Sequence, residues 1–66
     1  MTNAEMNRRL AGMTPELVAE AKRMIRVGYG AHGISLESPA TLKQANAVFQ
    51  LVEQERKAQR AAKVED

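Results

Sequence analysis

The chain contains no cysteine and no tryptophan, and its aromatic residues are one tyrosine, Tyr29, and one phenylalanine, Phe49. Without cysteine there is no disulfide framework and no thiolate metal site, which fits a reducing compartment, so the expected location is the cytoplasm. Proline occurs twice and glycine four times. From Ala40 onward neither interrupts the sequence, and nothing there breaks a helix. No apolar run approaches the ~20 residues needed to cross a bilayer, and the N-terminus has no signal-peptide core. The single histidine, His32, has no second histidine or cysteine with which to share a metal. A formal charge of +2 permits an anionic partner without demanding one. These absences leave a short chain for which no catalytic, cofactor or metal site is expected.

What the sequence does have is helical periodicity, and it predicts one all-α domain over residues 1–66. That domain has a short N-terminal helix, an amphipathic helix, a glycine-rich connector and one long C-terminal helix. The last of these organises the rest. Ser38 is suited to cap it and Pro39 to its first turn, so the helix is expected over 38–62, with a tail at 63–66. At 100° per residue it carries two apolar stripes. Leu42, Ala45, Phe49 and Val52 form one, with Val48 at its edge. Ala40, Ala47, Leu51, Ala58 and Ala62 form the other. Two stripes imply two neighbours. Beyond Val52 the first stripe turns basic, so the far half of the helix is expected to leave the core.

Earlier in the chain, Thr2-Asn3-Ala4-Glu5 fits a capping box, giving a short helix or arm over 2–11 that stops at Gly12. Met6 and Leu10, four apart, can dock it. Thr14-Pro15-Glu16 is a strong helix start, and the helix runs over 14–27 to a stop at Gly28. Leu17, Val18, Ala21, Met24 and Ile25 share one arc of it; Glu16, Glu20, Lys22, Arg23 and Arg26 share the opposite arc. Residues 28–37, with three glycines between Gly28 and Gly33, are expected to be a connector, because glycine in a helix loses too much backbone entropy. Ile34-Ser35-Leu36 within it is expected to be briefly extended. Gly28-x-Gly30-x-x-Gly33 matches a dinucleotide-binding fingerprint formally, but it follows a helix rather than a strand and is a false match.

The stretch Ala21-x-x-Met24-Ile25-Arg26-x-Gly28-Tyr29-Gly30-Ala31-x-x-Ile34 resembles the opening of helix-turn-helix proteins found in phages. In those proteins a short second helix and then a recognition helix follow the glycine turn. Here Gly33, Ser38 and Pro39 are expected to interrupt the second helix, and no separate recognition helix of the usual length is expected to follow. Short length, lack of cysteine, a terse helical design and that stretch together resemble the quorum-sensing anti-activators of Mu-like phages infecting Pseudomonas. Members of that group are short helical dimers that bind the DNA-binding domain of a host transcription activator, and also a pilus-assembly ATPase. The resemblance implies a protein-binding inhibitor in the cytoplasm of an infected bacterial host. It assigns no residue a role.

The residues themselves point to a binding module and not an enzyme. Three basic groups lie off the apolar faces: Arg8 and Arg9; Lys22, Arg23 and Arg26; and Arg56, Lys57, Arg60 and Lys63. Arginine is the commonest polar hot spot, since its flat guanidinium bonds two acceptors at once. The expected partner-binding residues are Lys22, Arg23, Arg26, Tyr29, Arg56, Lys57 and Arg60. A thin core also favours association, and Leu42, Ala45, Phe49, Leu51 and Val52 are the expected seam of a homodimer. A nucleic-acid partner, bound by a degenerate helix-turn-helix, ranks second.

Overall fold

The computed structural model describes the backbone of residues 1–64 and the side chains of residues 1–60. Four helices account for most of it, and among the described residues there is no strand.

Helix α1 (Asn3–Ala11) begins where the Thr2 hydroxyl accepts the Glu5 N–H at 3.2 Å. Helix α2 (Pro15–Val27) begins in the same way, with the Thr14 hydroxyl accepting the Leu17 N–H at 3.1 Å and Pro15 in the first turn. It ends in a Schellman motif: Gly28, at φ 117°, donates to Ile25 while Tyr29 donates to Met24. That left-handed turn is the one place where the chain requires glycine for its backbone.

Residues 28–37 are not a connector. They contain a third helix, α3 (Ala31–Glu37), and Ile34-Ser35-Leu36 is helical rather than extended. The entropic argument against helix fails because the three glycines do different jobs. Gly28 terminates α2 and Gly30 stands at the N-cap of α3, so only Gly33 lies within a helix, at a cost of about 1 kcal/mol. Gly33 has its own reason to be small, since a Cβ there would meet the Tyr29 ring at 3.2 Å. Tertiary packing offsets the cost: Ile34 is fully buried.

The long helix starts later than Ser38. Helix α4 spans Leu42–Val64, and its N-terminus is a capping box made by Thr41 and Gln44. The Gln44 N–H donates to the Thr41 hydroxyl at 3.1 Å, and the Thr41 N–H donates to the Gln44 side-chain oxygen at 3.0 Å. Ser38 instead closes α3. Its N–H and its hydroxyl both donate to the Ile34 carbonyl, and the same hydroxyl accepts the Ala40 N–H. Pro39 lies exposed between the two helices. The expected tail at 63–66 is helical through Val64, and Glu65 and Asp66 lie outside the described residues. Replacing Thr41 by alanine removes one half of the box and is expected to cost about 1 kcal/mol. Urea denaturation should show it as a lower midpoint with an unchanged slope.

α1, α2 and α3 each pack on α4. Ala45 and Val48, fully buried, face a cluster with Met13, Ala21, Ile34 and Ala40. On another side Lys43, Ala47, Gln50 and Gln54 repeat at helical spacing, and α1 lies antiparallel along them. Arg9 donates to the Lys43 carbonyl, while Gln50 and Gln54 both donate to the Asn3 side-chain oxygen. Met6 and Ala47 are buried in this second contact. The buried residues include four alanines, Ala21, Ala40, Ala45 and Ala47, and Ile34 and Val48 are the largest fully buried side chains. The buried part of each stripe, Ala45 with Val48 on one side and Ala47 on the other, therefore finds its neighbours inside the same chain.

Candidate protein-binding surface

Past Val52, α4 emerges from the fold. Every residue from Glu55 to Arg60 is exposed. The last turns of α2 run beside residues 52–59, and a groove of about 150 Å³ opens between them. Its walls are Lys22 and Arg26 from α2, and Val52, Glu55, Arg56 and Gln59 from α4. Two basic groups that are 30 residues apart at Arg26 and Arg56 in sequence thus meet in one place. The Lys22 ammonium lies 3.1 Å from a Glu55 carboxylate oxygen. Such a half-exposed pair contributes at most about 1 kcal/mol to stability, but it fixes where Lys22 points.

The other expected binding residues are dispersed. Arg23 faces a separate surface groove with Glu16, Ala19 and Glu20. Lys57 lines a wide open groove between α1 and α4, and Arg60 is exposed farther along α4. Tyr29 is 39% exposed, its ring set over Gly33. Val27 and Leu36, each 73% exposed, leave further apolar surface around the α2–α3 junction.

The expected dimer seam divides as well. Ala45 is fully buried beneath the chain's own helices and presents nothing to a second chain. Leu51 and Val52 are half-buried, and Val52 packs against the core. Leu42, 47% exposed, remains on an open face, and Phe49, half-buried against the core, shows its outer side there. With Asn46 and Glu53 they follow helical spacing. This face borders the wide groove, of about 790 Å³, which Met1, Glu5 and Arg9 of α1 also line. Of the second stripe, Ala58 is exposed, and the side chain of Ala62 lies outside those described.

Val52, Glu55 and Gln59 were absent from the expected binding set. Val52 and Gln59 stand four before and three after Arg56, and Glu55 three after Val52, spacings that place all four along one helical face. The Lys22–Glu55 pairing has no such local signal, since 33 residues separate the partners. Compared with family models, curated proteins and solved structures, the chain matches none.

Proposed function

We propose that this protein is a small protein-binding regulator, a phage-encoded inhibitor that acts in the cytoplasm of an infected bacterium by covering a surface of a host protein. A transcription activator is the favoured target, with a pilus-assembly ATPase as another. The observation that carries this reading is the convergence of Lys22, Arg26 and Arg56 on one small groove with an apolar wall. A charged rim around apolar contacts is the ordinary anatomy of a protein interface. Occupancy, not catalysis, does the work: a bound inhibitor keeps the target from its operator or substrate. Titrating the protein into a complex of a Pseudomonas quorum-sensing activator's DNA-binding domain with operator DNA is expected to release the DNA in proportion to the protein added. Retention of the DNA throughout the titration contradicts the reading for that target.

A homodimer is part of the proposal. Leu42 and Phe49 share an open face, and the Glu5, Arg9, Glu53 and Lys57 charges around it balance in sign, as a self-complementary contact requires. Sedimentation equilibrium at micromolar concentration is expected to give the mass of two chains, and a single-chain mass rejects the dimer.

Helix α3 favours a second reading. It supplies the short helix after the glycine turn that a helix-turn-helix needs, with α4 following a four-residue link at 38–41. Against it stands the chemistry of the face α4 leaves open. Leu42, Asn46, Phe49 and Glu53 offer two apolar groups, one carboxylate, a single amide and no cation, where a recognition helix needs several donors and cations. Duplex DNA should therefore bind weakly, without sequence preference, and be released by moderate salt.

A further inference from the structure

The groove between α2 and α4 is the size of one side chain. Its volume of about 150 Å³ matches a cavity that admits a single benzene-sized group, and lies below the roughly 300–1,000 Å³ of small-molecule sites. Three cations and one carboxylate surround it: Lys22, Arg26 and Arg56 against Glu55. Glu55 is engaged by Lys22. That leaves two guanidinium groups, neither of which has an ion-pair partner among the described residues. Each presents a flat fork of donors whose natural complement is a carboxylate. Val52 provides an apolar wall and Gln59 an amide beside it.

We infer that this groove is a socket for one glutamate side chain of the partner protein, its carboxylate held between Arg26 and Arg56 and its methylenes lying against Val52. The inference rests on the protein-binding reading above and supplies the partner's chemistry: an acidic segment with apolar residues beside the glutamate. A nucleic-acid backbone is the competing anion, and the surface is poorly built for it. A phosphate track needs cations in succession, whereas here Glu55 stands inside the groove and Arg23, the next cation on α2, shares its surface with Glu16 and Glu20. The inhibitor therefore grips an acidic patch on its target and blocks the target's working surface by bulk, not by imitating DNA.

The test uses three fluorescent probes in anisotropy titrations at physiological salt: a short peptide of alternating leucine and glutamate, the same peptide with glutamine for glutamate, and a short DNA duplex. The glutamate peptide is expected to bind about tenfold tighter than its glutamine counterpart, the effect of one well-placed charged contact. Arg26→Gln and Arg56→Gln should each abolish that difference, and Arg23→Gln, outside the groove, should keep it. All three arginines are exposed, so circular dichroism should report an unchanged fold. Equal binding of the two peptides overturns the socket. So does equal loss in Arg23→Gln, or tighter binding of the duplex through Arg26 and Arg56. Host-protein capture at full strength by an Arg26→Gln, Arg56→Gln double variant also overturns the socket while leaving the protein-binding reading standing. Failure of the unaltered protein to bind any host protein strikes that reading instead.

Discussion

Ile34→Ala is expected to lower stability by about 2–5 kcal/mol, the range for deleting a branched side chain from a packed interior. The residue is fully buried, and it is the one buried side chain that α3 contributes. Small domains have little to lose, with total stabilities of roughly 5–15 kcal/mol and the shortest chains at the low end. The variant should therefore be largely unfolded at 37 °C or melt far below the parent in a circular dichroism scan. Leu36→Ala in the same helix is the control. With 73% of Leu36 exposed, its loss should change stability by no more than about 0.5 kcal/mol. Equal effects of the two changes would mean that α3 does not pack on α4 through Ile34.

The second large effect concerns binding. Reversing Arg26 and Arg56 to glutamate together should weaken target binding by about 100-fold, taking roughly 1.5–3 kcal/mol for each charged hydrogen bond and allowing for partial solvent screening. Both side chains are exposed and neither forms an ion pair among the described residues. Melting temperature should then fall only slightly, because the new carboxylates add exposed repulsion beside Glu55 but break no ion pair, and assembly state should stay as it is. Calorimetric titration of the target with each protein separates this from a folding defect. Lys22 is a poorer choice for reversal, because a glutamate there would face Glu55 across the former ion pair and disturb the α2–α4 contact as well.

The ends of α1 and α2 are written in local sequence. Thr2 with Glu5, Thr14 with Pro15, and Gly28 each act within a few residues of themselves, which is what cap chemistry allows a reader to see. Helix α3 is different. Its seven residues include Gly33 and lack a side-chain cap, so propensity argues against it. Burial of Ile34 and the seating of Tyr29 over Gly33 stabilise it, and both depend on parts of the chain a local pattern does not contain. The start of α4 lies elsewhere for another reason. Ser38 followed by Pro39 reads as a cap and a first turn, and that pair alone sets the expected start at 38. The Thr41-Leu42-Lys43-Gln44 box was the stronger signal, because it satisfies two backbone donors and not one. The two stripes of α4 were visible in the sequence, but periodicity does not say whether a neighbour belongs to the same chain. Ala45 and Ala47 show that the chain's own helices occupy both sides. As for the groove, its cations were conspicuous, and their meeting was not, since it depends on how α2 lies along α4.

Affinity capture from Pseudomonas lysate, with and without nuclease, tests the central claim most directly. Tagged protein and its Arg26→Glu, Arg56→Glu variant would be compared side by side, with bound material identified by mass spectrometry and by nucleic-acid staining. The account predicts that the unaltered protein retains a defined host protein whether or not nuclease is present, and that the variant loses it. Recovery of nucleic acid alone, or of the same host protein in equal amount by the variant, would contradict it.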